Sequence, residues 1–308
     1  MLVKPGVLFE HCYGKYAIAA INVWSMEQVI ALFRAADYSG APFIVQTTPA
    51  ARNYSGQKML LSMIHAAGNM FPETRFAIHL DHGNEDHILS ALETGGYTSV
   101  MIDASHDPLE KNIARTKVIV EQAHALGVEV EAELGMLSGI EDDITSVRSR
   151  YTQPDSVEEF VVKTNCDSLA IAVGTSHGAY KFSGGEGIQF DILHRIQEKL
   201  PGFPLVLHGA SAVNEEEIQR INDAGGSLKP GARGVDPIEL QESIRYGICK
   251  VNIATDARLI WTRVHREFFR ESPGQFDPVL PGRIYMEELE KFIIEKFRLL
   301  GALNQATV

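Results

Sequence analysis

Eight short apolar runs recur along the chain, each followed by a longer stretch of helical periodicity, and this alternation narrows the folds open to it. The runs are YAIAAINV (16–23), PFIVQTT (42–48), RFAIHLDH (75–82), TSVMIDAS (98–105), GVEVEAELG (127–135), SLAIAVGTSHG (168–178), FPLVLHGAS (203–211) and ICKVNIAT (248–255). Most are apolar throughout rather than alternating, as expected of parallel strands covered on both faces by helices. The intervening stretches carry helix start signals. SMEQ (25–28) reads as a capping box, and NEEE (214–217) as an Asn cap with acid in the first turn. Several end at glycine: YSG (38–40), TGG (94–96), ALG (125–127) and DAGG (223–226). Eight such units predict an α/β fold, a (β/α)8 TIM barrel; an open, doubly wound sheet is the alternative. MEELEKFIIEKFRLLG (286–301) reads as an extra C-terminal helix, and GGSLKPGARGVDP (225–237) as a long loop after the helix of the seventh unit.

With 308 residues, 45% of them hydrophobic, the chain is read as a single barrel domain spanning 1–308. A net charge of −12 without a long basic run excludes nucleic acid and anionic membrane as expected partners, so an anionic substrate must be held by local donors. Cys12, Cys166 and Cys249 lie far apart with no CxxC pair, which argues against a disulfide framework and for a reducing, cytoplasmic setting. No apolar h-region opens the chain, and no run approaches the ~20 apolar residues of a membrane span.

A barrel places its chemistry at the C-terminal ends of the strands. There the sequence sets His79, Asp81 and His82, then Asp103, Glu131 and Glu133, and finally His177, His208 and Asn252. Three of the histidines are followed by glycine, in DHG, SHG and LHG, which frees the chain to turn closely around a ligand. Imidazoles converging on one cavity suit a divalent transition metal, and three histidines with an open position are a catalytic zinc arrangement. On the fifth strand Glu129, Glu131 and Glu133 share one face, opposite Val128, Val130, Ala132 and Leu134. The glutamates then point inward and need a cation or a metal, with Lys250 as the partner of one. GTSHGAYK (174–181), HGAS (208–211) and NIAT (252–255) offer phosphate-binding donors at the last three strand ends.

HLDHG, SVMIDASH, VEAELG, GIEDD, GTSHGAYKF, LVLHGAS and KVNIATD, taken together and in order, resemble class II ketose-bisphosphate aldolases, the zinc-dependent fructose- and tagatose-1,6-bisphosphate enzymes. The likeness runs from about residue 14 to 300. It implies a catalytic zinc on His82, His177 and His208, with Asp103 and Glu133 lining a second, interior metal position; a monovalent cation is a further cofactor candidate. Asp81 would be the acid/base at the C4 hydroxyl, and Glu141, in GIEDD, would move the proton at C3. Gly178, Lys181, Gly209, Ser211, Asn252 and Thr255 would bind the C1 phosphate, and Asn22 would contact substrate. His79, deeper in the barrel, is read as a supporting hydrogen-bonding residue rather than a reacting one.

Within the family the chain is mixed. Ala254 and TTP (47–49) resemble the tagatose type, whereas Arg258, Lys181, the 225–237 insertion and QFDP (275–278) resemble the fructose type. Arg258 would hold the C6 phosphate, across a subunit boundary if the protein is a homodimer or homotetramer. Cleavage of fructose 1,6-bisphosphate is the first expectation and tagatose bisphosphate the alternative. A metal-dependent hydrolase is disfavoured because the first strand, AAINVWS, lacks an HxH pair. A non-catalytic phosphosugar-binding barrel is disfavoured because Asp81 and Glu141 are both present.

Overall fold

A computed structural model describes residues 1–141, 144–146, 150–177, 187–229 and 234–306, with side chains for all of these except 138–141, 144–146 and 177. Its elements are α1 (Pro5–Cys12), β1 (Ile18–Asn22), α2 (Met26–Ser39), β2 (Phe43–Thr47), α3 (Pro49–Ser55), α4 (Gln57–Met70), β3 (Phe76–Gly83), α5 (Glu85–Thr94), β4 (Ser99–Ile102), α6 (Leu109–Ala125), β5 (Glu129–Leu134), β6 (Ser138–Glu141) and β7 (Ile144–Ser146). There follow α7 (Pro154–Thr164), β8 (Ser168–Ile171), β9 (Ser176–His177), α8 (Phe190–Lys199), β10 (Leu205–Leu207), α9 (Glu215–Asp223), α10 (Pro237–Ile244), β11 (Ile248–Ile253), α11 (Thr255–Glu271) and α12 (Val279–Leu299).

Eight of the strands pair in parallel and close into a barrel in the order β1-β11-β10-β8-β5-β4-β3-β2. Their apolar continuity has its physical reason here: β1, β2, β3 and β11 are buried at every position, against helices outside and against one another within. Met101, Ala170 and Val206 form a small apolar layer of their own. Polar side chains occupy other buried positions of the same strands, namely Gln46, His79, Asp81, Glu131, Glu133, Lys250 and Asn252. The capping box before α2 is present, with Gln28 Oε1 accepting from Ser25 N at 3.2 Å. Asn214 caps α9 by accepting from Glu216 N at 2.8 Å.

Three expectations need correction. The sixth run is not one strand over 168–178: β8 ends at Ile171, and Ser176–His177 pairs instead with β6 in a separate three-stranded sheet. Gly174 makes the break, with φ of 109° and the carbonyl oxygen of Gly187 occupying the space a Cβ would need. The C-terminal helix starts at Val279 rather than 286. The 225–237 stretch is shorter as a loop, because Pro237 already opens α10; residues 230–233 within it lie outside the described residues.

Candidate active site

The end of β3 carries the densest chemistry. Asp81 and His82 are adjacent, so a regular strand would send them to opposite faces. His82 instead adopts φ of +47°, and the pairing of β3 with β4 shifts register between Leu80 and Gly83. A left-handed non-glycine residue is uncommon and costs on the order of 1 kcal/mol. Its effect is to bring both side chains to the barrel mouth. Asp81 is fully buried, its Oδ2 accepting from Asn22 Nδ2 at 2.9 Å and its Oδ1 from Asn252 Nδ2 at 3.1 Å. Asn22 is itself fixed by Gln46 Nε2, which donates to its Oδ1 at 2.8 Å.

His82 turns toward β10. Its Nε2 stands 3.0 Å from His208 Nδ1, with the rings edge to face, and its Nδ1 lies 3.3 Å from Asp103 Oδ2. The far nitrogen of His208, Nε2, meets Glu131 Oε1 at 2.8 Å, while Glu131 Oε2 accepts from Lys250 Nζ at 2.6 Å. Each imidazole is thus oriented from behind by a carboxylate, an arrangement that fixes ring and tautomer at metal sites. Asp103 is oriented in turn by Ser105, whose Oγ and N donate to Oδ1 at 2.7 and 3.1 Å. Below them His79 Nδ1 meets Ser99 Oγ at 2.7 Å, and its Nε2 stands 3.7 Å from Glu131 Oε2.

Burial dominates the electrostatics and is opposed by specific partners. It raises the carboxyls of Glu131 and Asp103. For Glu131 the Lys250 ammonium and the His208 hydrogen bond outweigh it, and for Asp103 the His82 and Ser105 hydrogen bonds do, so both groups stay below the usual carboxylate range. Burial lowers His208, with Glu131 opposing, and drives His79 well down with help from Lys250. Neutral imidazoles are the form that ligates a metal.

The donor set fits a divalent cation. One oxygen of Asp81 and one nitrogen each of His82 and His208 lie within 4.8 Å of one another, as do donors of His82, Asp103 and Glu133. Neighbouring ligands of a tetrahedral zinc stand about 3.4 Å apart at bond lengths of roughly 2.1 Å. The 3.0 Å between the facing histidine nitrogens is close to that. Asp81 can reach the same centre, and the amides of Asn22 and Asn252 already engage both of its oxygens.

The family model described as "Fructose-bisphosphate aldolase class-II" matches residues 7–305. A fructose-bisphosphate aldolase of Helicobacter pylori is 39% identical, over 99% of this chain and 100% of its own. One of Treponema pallidum is 38% identical, over 95% and 94%. This chain belongs to the class-II fructose-bisphosphate aldolase family. Its barrel also superposes on the YdjI aldolase from Escherichia coli K12 with a TM-score of 0.78 and 27% identity, covering 99% and 100% of the two chains.

The remaining residues expected of a class-II aldolase fall around the same mouth where they are described. Ser211 is buried after β10, and its Oγ accepts from Ala254 N at 3.4 Å; Thr255 opens α11. Gly209 has φ of +64°, and a Cβ there would sit 2.5 Å from Ser176 O, so the loops after β8 and β10 touch backbone to backbone. Arg258 lines a cavity of about 240 Å³ with Asn22, Trp24, Thr48 and Tyr54, which opens beside the Asn22–Asp81 pair rather than at the histidines. Gly178 and Lys181 lie outside the described residues, as do the side chains of Glu141 and His177. Two contributors escaped the sequence reading. Gln46 signalled itself as the one amide in the apolar run FIVQT. Asp256, whose carboxylate accepts from Ala212 and Val213 N at 2.9 and 2.8 Å, carried no such signal.

Proposed function

We propose that the chain, acting over residues 1–308 as one catalytic barrel, reversibly cleaves fructose 1,6-bisphosphate to dihydroxyacetone phosphate and glyceraldehyde 3-phosphate, with zinc as its metal. The observation that carries this reading is the Asp81 carboxylate, fixed by two amides beside a pair of facing imidazoles at the mouth of the barrel. His82 and His208 would hold the ion, with His177 as the third ligand and Asp103 and Glu133 lining an interior position. When bound there, it polarises the C2 carbonyl of the ketose as a Lewis acid.

The chain's own groups handle the protons. Each Asp81 oxygen accepts one amide hydrogen and retains a lone pair for the C4 hydroxyl. Removing that proton lets C4 become an aldehyde carbonyl as the C3–C4 bond breaks, its electron pair moving toward C2. Glu141 is assigned the return of a proton to C3. Gly178, Lys181, Gly209, Ser211, Asn252 and Thr255 bind the C1 phosphate, and Arg258 the C6 phosphate. Assembly as a homodimer or homotetramer and a cytoplasmic location belong to the same proposal; among the described residues, no helix is long and apolar enough to cross a membrane.

Exhaustive chelation should abolish cleavage and added zinc restore it, measured by coupled release of glyceraldehyde 3-phosphate. Undiminished turnover by protein shown to be metal-free ends the proposal. Parallel kinetics with tagatose 1,6-bisphosphate decide substrate preference, since Ala254 rather than a polar side chain borders the site.

A further inference from the structure

The cavity beside Asp81 has one cationic wall, and its construction differs from that of the histidine cluster. The guanidinium of Arg258 lies over the ring of Trp24, 5.6 Å from its centroid, and both side chains line the cavity half-buried. Guanidinium over indole is the favoured cation–π pairing, and it restricts an otherwise flexible side chain.

The backbones beneath this pair are tied together by one buried relay. Trp24 N donates to Gln28 Oε1 at 2.7 Å, and Gln28 Nε2 donates to Tyr285 Oη at 3.1 Å. Tyr285 Oη donates in turn to the carbonyl oxygen of Ala257, at 3.2 Å, directly before Arg258. Gln28 and Tyr285 are almost wholly buried, and Ser55 Oγ holds the Trp24 carbonyl from the opposite side. Trp24 follows β1, Arg258 lies in α11 and Tyr285 in α12, so three distant parts of the chain converge on the placement of one guanidinium.

We propose that Trp24, seated by the Gln28–Tyr285 relay, is a positioning residue that aims Arg258 at the phosphate on the far, aldehyde end of the substrate. The inference rests on the assignment of Arg258 to that phosphate. It gives α12, which contributes no barrel strand, a part in substrate selection.

The test runs the reaction in the condensation direction with dihydroxyacetone phosphate and two acceptors, D-glyceraldehyde 3-phosphate and unphosphorylated D-glyceraldehyde. The readout is the ratio of their kcat/KM values, which a general loss of stability does not move. Trp24→Ala should lower the preference for the phosphorylated acceptor by roughly fivefold, chiefly through KM. Trp24→Phe should recover part of it. Tyr285→Phe, which removes one hydroxyl and little volume, should lower the ratio by about twofold. Arg258→Ala serves as the reference and should lower it most. A ratio unchanged in Trp24→Ala but reduced in Arg258→Ala overturns the proposal and leaves the role of Arg258 intact. An unchanged ratio in Arg258→Ala overturns both.

Discussion

The barrel interior holds two buried polar clusters, one above the other, that share the single residue Glu131. The lower sets one carboxylate against one ammonium, Glu131 with Lys250 at 2.6 Å, and adds the His79–Ser99 hydrogen bond. The upper gathers three carboxylates, Asp81, Asp103 and Glu133, around the imidazoles of His82 and His208. In the lower cluster the protein supplies its own counter-charge, which is how a buried ion pair is tolerated. Among the described residues of the upper one the surplus is of acid and imidazole nitrogen, a composition suited to a divalent cation. Two clusters built from the same residue types thus differ in charge balance: one pairs its carboxylate with its own ammonium, the other presents a set of metal-ligating donors.

Three substitutions can break or sharpen that contrast. The largest effect belongs to Asp81→Ala, for which kcat should fall by about 10³-fold or more while metal content, read by elemental analysis, stays near that of the native protein. Loss of metal together with activity would make Asp81 a ligand and merge its role with that of the histidines. Lys250→Met comes next. It strands the Glu131 charge and should destabilise the fold by roughly 3 kcal/mol in denaturant titration. Adding Glu131→Gln to that variant should restore much of the loss, and an additive result would mean the pair does not hold the lower cluster together. The smallest effect is that of Glu131→Gln alone, which keeps an acceptor for His208 without the charge. A drop in zinc affinity of about tenfold, measured by competition with a chromogenic chelator, would place Glu131 behind His208 as its orienting partner. Unaltered affinity would confine Glu131 to the lower cluster.

Much of this was legible in the sequence, for physical reasons that can be named. The barrel showed through because strands buried on both faces must be apolar throughout, so YAIAAINV and FPLVLHGAS stand out against the helices. His82 and His208 showed through because His-Gly pairs recur at the strand ends, where the glycine lets the chain turn closely around a ligand. The left-handed turn at His82 did not, since nothing in LDHG distinguishes a residue that flips from one that continues the strand. The split of the sixth run was hidden for a related reason: the break depends on the Gly187 carbonyl, just before α8, closing on Gly174. The pairing of Trp24 with Arg258 was likewise unreadable, because it depends on a relay through a helix at the opposite end of the sequence.

The contact of Gly209 with Ser176 carries a mechanical consequence. With only 2.5 Å between the site of a missing Cβ and the Ser176 carbonyl, the segment bearing His177 and the one bearing His208 leave no room for a side chain between their backbones. A single methyl group at position 209 would act as a wedge driven between the two segments.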